Sequence, residues 1–412
     1  MKKIIIVEDC ELNFTKEIIK KNIFEIILVR ISNFALFSDE YNKYVKERCE
    51  IFNIDIYVDL DITADLFKKI YRNIMSEKEN IFFINLSEKC QYIAQNFANK
   101  LGFEGFVLNK DQTKIFKDKY IMKEFIKKIG LKTVKFNEVL NKSDLEICEK
   151  NTLLKARNND SCREIEMVEK VDKKINLSTG FLVEEMIDFN KYKEYAVDII
   201  IYDYKCIDYF VTSYPTPLIN VMDGTKINGN ISLRYISDDF NEDIFHTISI
   251  LVKKLKIKMG FVHLEFFYDL EARDLVISEF GYRLGGGRII RNHEEAFGMK
   301  YSDIFISMVQ NLSQTSKVII KYSKYKFVGD MFLPIQKDGR VISFMDINLL
   351  GYKGIREIKY FYNSGDLIKK EKNSHSAFGQ VVIDGESMES ILSVMDSINK
   401  KFYLEVGNNE VR

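Results

Sequence analysis

The sequence lacks a net charge, because 61 Lys and Arg residues are balanced by 61 Asp and Glu residues. This balance gives no reason to expect nucleic acid or an anionic membrane as a partner, so any anion-binding site has to be local. The chain also lacks an apolar run of about 20 residues, the length of a membrane span. At the N-terminus an apolar run of only four residues precedes the first acid, which predicts a strand and not a signal peptide.

Metal-binding and disulfide patterns are missing as well. The six cysteines form no CxxC pair, and the chain has only four histidines. We therefore expect neither a zinc site nor a disulfide framework, and scattered reduced thiols favour a cytoplasmic protein. At about 100–200 residues per domain, a chain of 412 residues forms two to four domains.

The first hundred residues alternate strand and helix patterns. Short apolar runs predict strands at residues 3–7, 25–29, 55–60 and 81–86, and helical spacing predicts helices at 15–21, 64–75 and 89–100. This alternation is typical of a parallel, doubly wound sheet. VEDCEL follows the first strand where a dinucleotide-binding domain has GxGxxG, so an NAD-binding domain is not expected.

Beyond residue 114 the pattern changes to long strands and amphipathic helices. Helices are predicted at residues 114–129, 242–255, 294–310 and 387–401. Strands are predicted at residues 152–155, 181–185, 194–202, 326–332, 340–345 and 377–382, with a hairpin at 261–268 and 275–280.

The hairpin carries the strongest chemical signal. A turn centred on Ala272 places Glu265 directly opposite Glu279, with both side chains on one face. Opposed Cβ atoms lie about 4.5–5.5 Å apart, where like charges repel. Magnesium takes one or two carboxylates and completes its shell with phosphate oxygens and water, so it would neutralise the pair. Two solvated glutamates on an edge hairpin are the alternative.

An arginine and three glycines follow the hairpin. A guanidinium such as that of Arg283 beside a metal can stabilise charge on a phosphoryl group or a tetrahedral intermediate. Gly285, Gly286 and Gly287 allow backbone amides to approach an anion, or they form an ordinary loop.

These residues, HLEF followed by SEFGYRLGGG, resemble the metal-binding strands of the ATP-grasp superfamily. In that family a carboxylate strand precedes a Glu-x-Asn-x-Arg strand and a glycine-rich turn. The resemblance implies that Glu265 and Glu279 bind magnesium, with manganese as a substitute, and that Arg283 stabilises the transition state. The family's asparagine falls on Gly281, so one of its metal ligands is missing.

The resemblance extends upstream to KDKYIMKEFIKKIGL, LLKAR and FLVEEMI, which are similar to the family's opening helix, lid strand and adenine strand. The lid loop at residues 158–164 has no glycine, and Ser161 and Arg163 would take over phosphate binding there. The resemblance implies the following nucleotide contacts: Lys119 and Lys155 to the phosphates, Glu184 and the backbone of Glu185, Met186 and Ile187 to adenine, Glu194 to ribose, and Arg234 near the γ-phosphate.

The implied fold is α/β in three parts. Residues 1–110 would form an N-terminal domain with a doubly wound parallel sheet, in the Rossmann-like manner. Residues 111–320 would form the ATP-grasp domain, with a mobile α+β lid at about 133–180. Residues 321–412 would form a small α+β closing domain.

The implied activity is that of an ATP-dependent carboxylate–amine ligase, which forms an acylphosphate and ADP and then an amide. An amino-acid ligase that makes dipeptides is favoured, with a small carboxylate and an amine as partners and Arg288 or Arg291 as a binding site for a substrate carboxylate. A formate or purine-pathway ligase is an alternative. Carboxylase chemistry is less favoured, because residues 284–287 lack that branch's carboxylate and histidine. A non-catalytic ATP sensor is the alternative from another class, and a homodimer is compatible with either.

Overall fold

The computed structural model describes residues 2–31, 37–55, 59–76, 80–141, 143–146, 151–158, 165–168, 180–221, 226–311, 318, 320–370 and 376–407. The strands are β1 (Lys3–Glu8), β2 (Glu25–Ile31), β3 (Glu50–Ile54), β4 (Ile81–Asn85), β5 (Glu104–Gly105), β6 (Phe136–Val139), β7 (Thr152–Ala156), β8 (Ile165–Met167), β9 (Phe181–Glu185), β10 (Lys193–Tyr202), β11 (Lys205–Ser213), β12 (Asn228–Leu233), β13 (Met259–Asp269), β14 (Asp274–Gly281), β15 (Phe327–Pro334), β16 (Gly339–Phe344), β17 (Ile355–Tyr360), β18 (Leu367–Ile368), β19 (Ala377–Gly385) and β20 (Leu404–Gly407). The helices are α1 (Asn13–Lys21), α2 (Asp39–Lys46), α3 (Leu60–Ile70), α4 (Arg72–Met75), α5 (Gln91–Leu101), α6 (Lys110–Lys117), α7 (Lys119–Lys128), α8 (Ser143–Glu146), α9 (Asp238–Leu255), α10 (Ile289–Phe297), α11 (Tyr301–Asn311) and α12 (Met388–Lys401).

The N-terminal sheet has the order β3-β2-β1-β4-β5, and all its strands are parallel. Its three central strands, β2, β1 and β4, are buried on both faces: Ile4 and Ile6 of β1 belong to one hydrophobic core, whereas Ile5 and Val7 belong to another. A continuous apolar strand is what such two-sided burial requires. The predicted doubly wound parallel sheet is thus confirmed. The loop after β4, which contains Glu88, lies at the carboxyl end of this sheet, where ligands bind in open α/β folds.

Several predicted elements are wrong in their boundaries, and the helix predicted at 64–75 is two helices, α3 and α4. The third strand ends at Ile54 and α3 begins at Leu60, while residues 56–58 lie outside the described residues. The helix predicted at 114–129 is two helices, because Asp118 ends α6 and its carboxylate accepts hydrogen bonds from the Tyr120 and Ile121 amides of α7. The helix predicted at 294–310 is also two, because Gly298 adopts a left-handed conformation with φ 64° and ends α10.

A four-stranded antiparallel sheet, with the order β6-β9-β7-β8, covers the predicted lid and the predicted adenine strand. Its small core contains Val139, Leu154, Ala156, Phe181 and Val183. In the lid loop, residues 159–164 lie outside the described residues, and so do Ser161 and Arg163.

The central sheet has eight antiparallel strands in the order β14-β13-β10-β11-β12-β15-β19-β17. The strands β15, β17 and β19 come from the C-terminal part of the chain. The strands between and after them in the sequence form a separate three-stranded sheet with the order β18-β16-β20. The largest hydrophobic core joins residues of this sheet to residues of β1, β2 and β4. Among the helices in the described part, none is long and apolar enough to cross a membrane.

The hairpin β13–β14 confirms the predicted pairing at the end away from its turn, where the two glutamates lie. Glu265 pairs with Glu279, and His263 pairs with Gly281. Beyond Glu265 a β-bulge shifts the register, so that Asp269 pairs with Asp274. The turn is therefore centred between residues 271 and 272, and the prediction of Ala272 as its centre was off by half a residue.

Candidate active site

Two opposed carboxylates form one wall of a small cleft. Glu265 and Glu279 share a sheet face with Glu194 and Asp198 of β10, because alternate residues of neighbouring strands point the same way. Within the described residues, no group of three or more His, Cys, Asp or Glu side chains is arranged to hold a metal ion. Two hard carboxylates fit magnesium where phosphate oxygens supply the remaining ligands.

Lys119 is paired with one of these carboxylates. Its Nζ lies 3.0 Å from Oε2 of Glu279. Although burial opposes ionisation of Glu279, Lys119 and Lys155 hold the pKa of its carboxyl well below the usual range. Lys119 is the first residue of α7, and the Asp118 cap fixes the start of that helix. The structure thus brings together Lys119 and both predicted metal ligands.

A second ion-pair cluster joins the lid sheet to the hairpin. The buried carboxylate of Glu184 on β9 lies 2.9 Å from Nζ of Lys155 and 3.1 Å from Nζ of Lys123. Lys123 also donates a hydrogen bond of 2.8 Å to the carbonyl of Ser278, the residue before Glu279. Burial opposes ionisation, yet Lys123 and Lys155 lower the pKa of Glu184. Lys123 was not among the predicted site residues, because it is one of several lysines on its helix.

The third pair comes from the N-terminal sheet. Nε of Arg283 donates a hydrogen bond to the carboxylate of Glu88, which follows β4. Although burial opposes ionisation, Arg283, Lys117 and Lys119 lower the pKa of Glu88. The same cleft is lined by Glu88, Lys119, His263, Glu265, Glu279 and Arg283. Sequence reasoning missed Glu88, although its position after a central parallel strand was a usable signal.

Asp198 fixes the glycine turn that follows Arg283. Its Oδ1 accepts a hydrogen bond of 2.7 Å from the Gly285 amide and lies 3.1 Å from Nδ1 of His263. A Cβ atom on residue 285 would lie 2.9 Å from the Asp198 carboxylate, so glycine is required for this approach. Nε2 of His263 lies 3.5 Å from the Glu265 carboxylate. Burial opposes protonation, but Asp198 and Glu265 raise the pKa of His263 to about 9.

Glu194 lies on the same face as the metal pair. Its carboxylate accepts a hydrogen bond of 2.7 Å from the Leu218 amide. Burial and the nearby Glu265 raise the pKa of Glu194 to about 8. This carboxyl is therefore positioned near the cleft, where the ribose contact was predicted.

Three of the remaining predicted residues, all arginines, have their partners outside this cluster. Arg234 pairs with Asp208 of β11 at 2.7 Å, two strands from β13. Arg288 and Arg291 pair instead with Glu295 and Glu357, at 3.1 Å and 2.9 Å from Glu295. Glu185 is exposed at the end of β9, and Met186 and Ile187 follow it.

No known family model matches the chain. An L-arginine-specific L-amino acid ligase of Bacillus subtilis is 24% identical over 217 residues, which make up 52% of this chain and 50% of that protein. The sequence match thus spans about half the length of the curated relative.

Two solved structures are similar over almost the whole chain. An L-amino acid ligase from Bacillus licheniformis superposes with a TM-score of 0.72 at 15% identity, covering 99% of both chains. N5-carboxyaminoimidazole ribonucleotide synthetase from Thermotoga maritima has a TM-score of 0.63 at 15% identity, covering 99% of this chain and 100% of that one. At such identities the likeness establishes the fold, and it confirms the fold class predicted from the sequence.

Proposed function

We propose that this chain, whose fold is that of the ATP-grasp superfamily, is an ATP-dependent carboxylate–amine ligase that joins amino acids. The observation that carries the proposal is the convergence of three ion pairs: Lys119 with Glu279, Lys155 with Glu184, and Arg283 with Glu88. In each pair a carboxylate holds a cationic side chain that can bind a phosphate or an acyl oxygen once it leaves that carboxylate.

Nucleotide binding would replace the carboxylate partners of these lysines with phosphate groups. The phosphates of ATP would take over Lys119 and Lys155, and Glu279 would then be free to ligate a metal ion together with Glu265. Magnesium, or manganese in its place, would neutralise charge between the phosphates when bound. The adenine is assigned to the backbone of residues 185–187, beside Glu184, and the ribose to Glu194.

Arg283 is assigned to the acyl-transfer half of the reaction. A substrate carboxylate oxygen bonds to the γ-phosphorus, and the bond to ADP breaks. The amine nitrogen then bonds to the acyl carbon, phosphate leaves, and the amine loses a proton. Arg283 would stabilise the negative oxygen of the tetrahedral intermediate, since it lies two residues beyond the end of β14 and is held by Glu88. The substrates would enter at the carboxyl ends of β1 and β4.

The choice of amino acids as substrates rests on the relatives, which are named as L-amino acid ligases. The same proposal includes three domains, at residues 1–110, 111–320 and 321–412, with a lid at about 133–180. It also includes a homodimer and a location in the cytoplasm. Pairs of amino acids incubated with ATP and magnesium should yield ADP and a dipeptide detectable by mass spectrometry.

A nucleotide sensor is the second candidate, and Gly281 favours it. Gly281 occupies the position of the family's asparagine, opposite His263, so no third metal ligand is available there. A sensor would bind ATP without joining any acid to any amine, and the absence of product from a full pool of amino acids would support it over the ligase.

A further inference from the structure

Helix α3 has an inner face that is fully occupied by the core. Thr63, Ala64 and Phe67 are buried, and the Phe67 ring contacts the rings of Phe52 and Phe97 at centroid distances of 5.0 Å and 5.3 Å. This face alone accounts for the packing of α3 against the N-terminal sheet and α5. Apolar residues elsewhere on the helix are not needed for that packing.

The outer face nevertheless carries a second apolar stripe, formed by Ile62, Leu66 and Ile70. These side chains are 63%, 49% and 56% exposed, and their spacing of four residues places them one above the other. Among the helices in the described part of the chain, α3 alone exposes more than one large apolar side chain. Single exposed apolar residues are ordinary, whereas a contiguous stripe marks a surface that is covered by a partner.

The charges beside the stripe fit a second copy of the same helix. Acids stand in the first half of α3, at Asp61 and Asp65, and bases stand in the second half, at Lys68 and Lys69. Within one chain Asp65 pairs with Lys68 at 3.0 Å, an exposed pair that contributes little to stability. A second α3 laid antiparallel across Leu66 would place Ile62 against Ile70 of the other copy. The same arrangement would place Asp65 beside Lys69 of that copy, twice by symmetry. This self-complementarity is what a two-fold, isologous contact requires.

We propose that α3 is the centre of a homodimer interface, in which the stripe of Ile62, Leu66 and Ile70 packs against the same stripe of a second copy of this chain. The apolar centre is small compared with the ~1,200–2,000 Å² buried in stable complexes. We therefore expect a weak dimer whose formation depends on protein concentration. The proposal is independent of the catalytic assignment.

Charge reversal tests the antiparallel arrangement by sedimentation velocity of the full chain over ~1–100 µM. Asp65→Lys and Lys69→Asp each place like charges together twice and should weaken the dimer about tenfold. The double variant Asp65→Lys/Lys69→Asp restores opposite charges and should recover most of the affinity. Leu66→Glu should give a monomer at every concentration.

The matched control is Asp396→Lys on α12, which also breaks an ion pair within a helix, that of Asp396 with Lys400 at 2.5 Å. It should leave the dimer unchanged, and circular dichroism should show native helix content for all variants. A wild-type chain that stays monomeric at 100 µM would overturn the proposal, as would a double variant no better than the weaker single one.

Discussion

Lys123 and Glu184 form an ion pair of 3.1 Å in which both side chains are almost inaccessible, with exposures of 1% and 4%. Burial keeps Lys123 from solvent, whereas Lys155, on the other oxygen of Glu184, keeps 12% of its side chain exposed. When ATP takes Lys155, Lys123 remains as the partner that keeps Glu184 neutralised. Without Lys123, releasing Lys155 to ATP would leave the buried Glu184 carboxylate unpaired, and this cost would weaken ATP binding.

Lys123→Met should therefore weaken ATP binding on the order of tenfold and lower stability by about 3 kcal/mol, because Glu184 keeps only Lys155 as a partner. Adding Glu184→Gln should recover much of both losses, since the buried charge is then gone. Calorimetric titration with ATP and magnesium, alongside urea unfolding, measures the two effects.

The matched control for that experiment is Lys127→Met on the same helix, where the side chain is 60% exposed, pairs with Glu124 at 3.5 Å and lies 4.9 Å from the Phe136 ring centroid. It should change neither quantity by much. A double variant that binds ATP no better than Lys123→Met would contradict the role given to Lys123.

Glu279→Gln should leave the fold intact and reduce ATP turnover by about 10²–10³, comparable to the loss of one preorganised electrostatic contact. Glu279 is the carboxylate that both pairs with Lys119 and faces Glu265. Phosphate release is the measurement, and Glu271→Gln in the exposed turn of the same hairpin is the control. Near-normal turnover in the Glu279 variant would remove the metal assignment.

His293 should make stability depend on pH below neutrality. Burial lowers the pKa of this ring to about 4, and the ring is hydrogen-bonded to Thr212 at 2.9 Å. The unfolded chain takes up this proton near pH 6.5, so it binds more protons than the native state between pH 6.5 and 4. The contribution of this ring to stability is therefore lost as the pH falls through that window, by on the order of a few kcal/mol, whereas the raised pKa of Glu194 acts in the opposite direction.

Urea unfolding at several pH values measures this loss, with His293→Gln as the comparison. The variant should be less stable at pH 7 but should lose less stability on acidification. Parallel curves for the wild type and the variant would show that another group accounts for the acid sensitivity.

The hairpin β13–β14 shows what could and what could not be predicted from the sequence alone. Opposed Glu265 and Glu279 could be predicted because strand alternation and one turn position determine which residues meet. The bulge after Glu265 could not, because no residue type marks it. Its effect falls on the turn half of the hairpin, so the carboxylate pair is unaffected.

The contacts of two site residues could not be predicted from the sequence. Glu88 meets Arg283 across 195 positions and Asp198 meets Gly285 across 87, so no local pattern indicates which residues they contact, although the place of Glu88 after a parallel strand marks it as a candidate. Helix breaks at Asp118 and Gly298 were within reach, since an aspartate cap and a left-handed glycine are local signals. Arg234 was assigned by resemblance alone, and its pairing with Asp208 depends on tertiary contacts.

The most direct test of the ligase assignment measures ATP affinity and amide formation together, in the wild type and in Arg283→Ala. The wild type should bind ATP and convert a pool of amino acids to dipeptide with release of ADP. Arg283→Ala should bind ATP with nearly the same affinity and form no product, because its guanidinium acts on the tetrahedral intermediate and not on the bound nucleotide. A wild-type chain that binds ATP tightly but joins no acid to any amine, with Arg283→Ala behaving identically, would contradict the account.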